Sequence, residues 1–116
     1  MDKWSDITIL KSLKNPTIHK CKITITTQEI TILGAKEQPD FANLTILYSP
    51  REKIIELKSL KFYLFQFRNK LLSYERLIDI IYNDIQTVYC PDQVGIILEF
   101  KPRGGISSKL EIGSIN

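Results

Sequence analysis

A chain of 116 residues and 13.4 kDa makes one domain, long enough to bury a real core and too short for a multidomain enzyme. Hydrophobic residues at 43%, charged residues at 25%, 5 Gly and 5 Pro are the balance of a globular protein, which excludes disorder, collagen and coiled-coil rods. The 16 Lys and Arg against 13 Asp and Glu leave a formal charge of +3, an excess that suits a phosphate-bearing ligand and does not call for direct nucleic-acid contact.

Residues 1–16 carry Ile7, Ile9, Leu10 and Leu13 among polar residues and end at Pro16, which reads as an N-terminal arm or short helix ahead of a single domain over residues 17–116. That segment lacks a basic stretch leading into an apolar core, and no apolar run approaches membrane-spanning length. The expectation is a cytoplasmic protein with no membrane partner. Over residues 17–33, Ile18, Ile23, Ile25, Ile30 and Ile32 alternate with Thr, Lys and Gln, the period of a half-buried strand. Residues 34–40, with Gly34 and Pro39, read as a loop, and residues 41–48 resume the strand with Leu44, Ile46 and Tyr48 on one face.

From about residue 54 the period changes. Leu57, Leu60, Leu64, Phe67 and Leu71 recur at spacings of three and four, which predicts an amphipathic helix that also packs Phe62, Tyr63 and Phe65. Residues 69–73 break it, Ser73 supplies an N-cap, and Ile78, Ile81, Ile85 and Val88 mark a second helix that closes at Cys90-Pro91-Asp92. Residues 94–100 and 106–115 form a hairpin around Pro102-Arg103-Gly104-Gly105. The order strand, strand, helix, helix, strand, strand predicts an α+β architecture, a four-stranded antiparallel sheet covered on one face by two antiparallel helices.

Few residues stand out chemically. Cys21 and Cys90 lie far apart with no CxxC, and His19 is the single histidine, so no metal site of His and Cys is expected and both thiols read as structural. Asp40 sits just before a strand among apolar residues, where partial burial would suit it to proton transfer; an Asp that merely caps a turn is the alternative. Glu56 opens the first helix, and Lys58 and Lys61, three apart, share a face that can dock phosphate or simply meet solvent. Arg103, beside two glycines that allow close backbone approach, either completes a phosphate site or is an exposed turn residue. Glu75, early in the second helix, either accepts two hydrogen bonds from a guanine-like edge or faces the helix dipole.

Taken together, Gln38-Pro39-Asp40-Phe41-Ala42, the run Ile55-Glu56-Leu57-Lys58-Ser59-Leu60-Lys61, Phe67-Arg68-Asn69 with Glu75 six residues later, and Pro102-Arg103-Gly104-Gly105 resemble the NADPH-dependent 7-cyano-7-deazaguanine (preQ0) reductases over about residues 29–107. Those enzymes belong to the tunnelling fold, whose ββααββ subunits associate side by side into homo-oligomeric barrels with ligand sites between neighbours. By resemblance the function is reduction of the nitrile to 7-aminomethyl-7-deazaguanine in queuosine biosynthesis, a tRNA modification route. The other reading is a catalytically altered homologue that binds a deazapurine or pterin-like base without reducing it.

The resemblance implies that Glu75 anchors the base with help from Glu56, Ile55 and Leu57, that Asp40 is the proton donor, and that Lys58, Lys61 and Arg103 hold NADPH. Two positions depart from the pattern. Tyr74 stands where the reductases carry a histidine. In the loop before Asp40 the family has a cysteine that attacks the nitrile carbon and forms a thioimide, whereas this chain is one residue shorter and places Gly34 there. Glycine has no nucleophile, so the covalent step that divides the reduction into feasible stages is lost.

Overall fold

Period-two alternation in the long strands sets which residues meet the helices. In the computed structural model, which describes residues 4–115, the chain runs β1 (Ser12–Lys14), β2 (Ile23–Leu33), β3 (Pro39–Ser49), β4 (Lys53–Ile55), α1 (Leu57–Phe65), α2 (Tyr74–Tyr89), β5 (Gln93–Arg103) and β6 (Ile106–Gly113). The four long strands form one antiparallel sheet in the order β2-β3-β5-β6, and β1 pairs with β4 in a second, two-stranded sheet. Register places Ala42, Leu44, Ile46 and Tyr48 opposite Phe100, Leu98, Ile96 and Val94, so all eight side chains are buried on one face. Against them pack Leu60, Leu64, Leu77, Ile81 and Ile85.

A shift of register between Thr27 and Ile30 explains the uneven pattern in the first strand. Before the shift the inward residues are Ile23 and Ile25; after it they are Ile30 and Ile32, both fully buried. Without the extra residue the second pair of isoleucines would face away from the helices.

The helices run antiparallel, because residues ascending along α1 meet residues descending along α2: Ser59 lies beside the Tyr89 hydroxyl, and Tyr63 donates to Asp84. Ser73 caps α2 by accepting from the Arg76 N–H, and Cys90 ends it in the left-handed region at φ 47°.

The first helix is shorter than the sequence periodicity predicts. Ile54 and Ile55 belong to β4, where they pair with Leu13 and Ser12. Glu56 then starts α1 by accepting from the N–H groups of Lys58 and Ser59 at 2.8 and 2.9 Å. At the far end, Leu33 exchanges backbone hydrogen bonds with Lys70 and Leu72, which draws that segment alongside β2 and out of the helix. Leu57 and Leu71, predicted to be on the buried stripe, are therefore exposed, and Phe62 is half-exposed where the sequence suggested packing.

The expected strand over residues 17–33 begins at Ile23, and the expected loop over residues 34–40 is a short turn at residues 35–37, with Lys36 and Glu37 at positive φ, before β3 begins at Pro39. Of the segment read as an arm or short helix, residues 1–3 lie outside the described residues; the rest holds a 3-10 turn at Ile7–Ile9 and β1. It is tied down by a shared acceptor. The hydroxyls of Ser5 and Tyr63 both donate to Asp84 Oδ2 at 2.5 Å, and Tyr89 donates to the Lys11 carbonyl at 2.7 Å.

Burial holds the hydroxyls of Tyr63 and Tyr89 in their neutral form. The Tyr89 pKa is pushed up to about 12, first by burial, and that of Tyr63 rises further through burial and the neighbouring Asp84 charge. A phenol whose folded pKa exceeds its unfolded value near 10 contributes stability that is complete below about pH 10 and is lost as pH rises above it. Denaturant midpoints measured by circular dichroism are expected to hold steady through neutral and mildly alkaline pH and to fall once pH passes about 10. Asp84→Ala leaves the Tyr63 hydroxyl buried without its acceptor and is expected to lower stability by about 1–3 kcal/mol in the same measurement at neutral pH.

Candidate functional site

Asp40 lies on the helix-facing side of β3, continuing the inward series of Ala42, Leu44 and Ile46, and is 8% exposed. A carboxylate at that position needs partners. Arg103, the last residue of β5, supplies the main one: its Nη2 lies 2.5 Å from Asp40 Oδ1 and 2.9 Å from the Pro39 carbonyl oxygen, and its Nη1 donates to Gln38 Oε1 at 2.5 Å. Glycines 104 and 105, with φ 61° and 82°, make the two-residue hairpin turn that brings the strand end to this place.

Tyr74, the first residue of α2, adds the second partner. Its ring stacks on Phe100 with centroids 3.6 Å apart and planes 6° from parallel, and its hydroxyl lies near enough to Asp40 to feel that charge. Burial raises the Tyr74 pKa most, the Asp40 charge raises it further, and Arg103 opposes, so the hydroxyl stays a donor at neutral pH.

Gly34 completes the arrangement. Its N–H donates to the Gln38 carbonyl at 2.7 Å, and its carbonyl accepts from the Glu37 N–H at 3.1 Å, closing a tight loop in which Lys36 and Glu37 both take φ 58°. A side chain on residue 34 has no room, because its first carbon would lie 2.0 Å from Asp40 Oδ2 and 3.0 Å from Asp40 Cγ. The carboxylate thus fills the space that a side chain at position 34 would need. Gly34, Lys36, Asp40, Ser73, Tyr74 and Arg103 line a cavity of about 480 Å³ at this end of the molecule.

The remaining sequence-predicted residues divide between this end and the other. Glu75 is exposed on the first turn of α2, next to Tyr74 but not on the cavity lining. Glu56, Ile55, Leu57 and Lys58 sit at the opposite end of the helical layer, near Tyr89 at the C-terminus of α2, whose hydroxyl meets Ser59. Fourteen residues of helix separate Glu75 from Tyr89, a rise of about 20 Å. Within one chain, Glu56 and Glu75 therefore cannot grip the same base.

Glu56 spends its carboxylate on the α1 N-terminus, and the Ile55 N–H donates to Tyr48 Oη at 3.0 Å. Leu57 is exposed. Lys58 and Lys61 are exposed on α1, with Lys61 Nζ 5.7 Å from the Phe65 ring centroid. Arg103, read with them as a phosphate ligand, is instead bound to residues 38–40. Sequence reasoning missed Gln38 as its acceptor and Phe100 as the platform for Tyr74. Only the antiparallel register could have shown them, since 65 and 26 positions separate the partners.

A larger cavity of about 1060 Å³ lies elsewhere, between the N-terminal segment and α2, lined by Trp4, Gln66, Arg76, Asp79 and Asn83 among others. None of the predicted site residues reaches it. No group of three or more metal-ligating side chains occurs among the described residues.

An α+β chain of this element order, with its four long strands in one antiparallel sheet beside two antiparallel helices, has the tunnelling fold. The family model described as "QueF-like protein" matches residues 39–115, and the chain belongs to that family. Relatives named NADPH-dependent 7-cyano-7-deazaguanine reductase include that of Chlorobium chlorochromatii, 39% identical over 74 residues covering 64% of this chain and 64% of the relative. That of Bacillus subtilis is 41% identical over 101 residues, covering 85% and 61%. That of Thermomicrobium roseum is 38% identical over 99 residues, covering 84% and 77%. The chain spans under two thirds of the Chlorobium and Bacillus relatives. Among solved structures, the archaeosine synthase QueF-Like in the apo form superposes with a TM-score of 0.74 at 14% identity, covering 80% of this chain and 92% of that one, a likeness of fold.

Removing Arg103 tests the clamp. Arg103→Ala is expected to lower stability by about 1–2 kcal/mol, less than a fully buried pair would lose because the arginine is 40% exposed while Asp40 is left without its cation. Arg51→Ala, at the exposed Arg51–Asp92 pair, is expected to leave the denaturation midpoint nearly unmoved.

Proposed function

We propose that this chain binds a 7-deazaguanine-type base in a site shared between copies, and that it does so without forming a covalent bond to it. The observation that carries this is the Asp40 carboxylate lying in the space beside Gly34, where the resembling reductases hold their nucleophile. Family membership and the names of the relatives support the base. The separation of Glu75 from Glu56 supports sharing, since a second copy is the simplest way to bring the two ends together. The uncovered face of the sheet also holds Asn43 Oδ1, a buried acceptor without a partner among the described residues. In this reading Glu75 of one copy accepts from the guanine-like edge, while Ile55, Glu56 and Leu57 of another line the same pocket.

The chain fits a dinucleotide phosphate in part. Lys58 and Lys61 present two cations three residues apart, while Arg103 is engaged with Asp40. NADPH, when bound, supplies a hydride; the two lysines would hold its phosphates. A reductase working by a modified route is the second reading, favoured by the retention of Asp40, Lys58 and Lys61 in a chain whose relatives carry the reductase name. Either reading concerns a free base in the cytoplasm with no direct nucleic-acid contact. No helix among the described residues is long and apolar enough to cross a membrane.

Isothermal titration with 7-cyano-7-deazaguanine, paired with an absorbance assay of NADPH consumption, separates these readings. Binding without NADPH consumption is expected. Glu75→Ala is expected to weaken binding by about tenfold or more, the loss of a charge-assisted hydrogen-bond pair. NADPH consumption that depends on the nitrile would establish the second reading, and absence of binding would dismiss both.

A further inference from the structure

Resting on the reading that Lys58 and Lys61 hold the phosphates of a dinucleotide, we propose that Asp40 keeps Arg103 away from that ligand, an autoinhibitory contact in which the chain's own carboxylate competes with phosphate for one guanidinium. A guanidinium grips an oxyanion through two parallel N–H groups, either Nη1 with Nη2 or Nε with Nη2, so Nη2 belongs to both forks. In this chain Nη2 is committed. It lies 2.5 Å from Asp40 Oδ1 and donates to the Pro39 carbonyl at 2.9 Å, while Nη1 donates to Gln38 Oε1 at 2.5 Å.

The two partners are unequally placed, since the Asp40 side chain is 9% exposed and that of Arg103 is 40% exposed. A phosphate can therefore reach the arginine, but drawing it away leaves a buried carboxylate without its cation, which is strongly unfavourable. Nothing beside Asp40 takes over. Gly34 and Tyr74 are uncharged, and Lys36, on the same lining, is exposed, where its charge is screened. A phosphate that approaches while the pair is intact meets the like charge of Asp40. Lys58 and Lys61 carry no such competitor, because neither makes an ion pair among the described residues. Removing the charge at residue 40 while keeping its shape leaves Arg103 with neutral partners only, Gln38 and the Pro39 carbonyl, which a phosphate displaces far more readily.

Isothermal titration with NADPH of the unaltered chain, Asp40→Asn, Arg103→Ala and the double variant tests this, with circular dichroism to establish that each is folded. Asp40→Asn is expected to bind NADPH about tenfold more tightly than the unaltered chain, and the double variant to lose that gain. Arg103→Ala alone is expected to change the affinity by less than about threefold. An Asp40→Asn affinity equal to or weaker than that of the unaltered chain overturns the inference, and a gain that survives in the double variant overturns the assignment to Arg103. A tenfold loss from Arg103→Ala alone shows the guanidinium already serving the phosphate and also overturns it; this comparison decides even should Asp40→Asn not fold. Failure of NADPH to bind any of these proteins overturns the inference together with the role given to the two lysines, while the base-binding reading stands or falls separately on titration with 7-cyano-7-deazaguanine.

Discussion

The buried carboxylate of Asp40 is the constraint from which this end of the molecule follows. Left alone at 8% exposure it would be strongly unfavourable, and the chain answers with a guanidinium from the end of β5 and a hydroxyl from the start of α2. Three distant segments are thereby drawn together: the β2–β3 loop, the β5–β6 hairpin and the N-terminus of α2. Arg103 also bonds Gln38 and the Pro39 carbonyl, so the pairing fixes the loop as well as the charge. Gly34 belongs to the same solution, since a residue with any side chain would contend with Asp40 for one volume.

The opposite end is organised by a different carboxylate with a different task. Glu56 closes the α1 N-terminus, and the backbone around it is already committed, Ile55 to Tyr48 and Glu56 N–H to the Lys11 carbonyl. A base arriving there would meet a capped helix end and the exposed Leu57 rather than a free acid. This bears on how roles pass between relatives: residues can keep their types and spacing while the chemistry they support changes, because fold and ligand class tolerate substitutions that a covalent mechanism does not.

Much of this was legible in the sequence, for identifiable reasons. The alternation in β3 and β5 and the 3.6-residue period of α2 are strong local signals, and both elements lie close to where the pattern puts them. The start of α1 was not legible: Ile54 and Ile55 continue its apolar spacing, yet pairing with β1, a partner some forty residues earlier, makes them a strand. The end of the helix was lost for the same reason, since the backbone bonds of Leu33 to Lys70 and Leu72 are long-range. At the site, the partial burial expected of Asp40 is present because its parity in β3 was readable. The use of Arg103 was not, because a hairpin arginine carries no local mark that distinguishes a phosphate ligand from a partner 63 positions away.

Gly34 therefore cannot be considered apart from the carboxylate packed against it. Adding a side chain there would press on Asp40 Oδ2, and moving Asp40 would disturb its contacts with Arg103 and Tyr74 together. Tyr74 is further held by its stack on Phe100, which is itself buried in the sheet opposite Ala42, so the shell around the carboxylate has little slack. Coupled residues of this kind respond as a set rather than one by one. Gly34, the tight loop through Lys36 and Glu37, and the tyrosine before Glu75 are parts of one arrangement around Asp40. Its physical content is a buried carboxylate paired with a cation and packed against a residue that has no side chain.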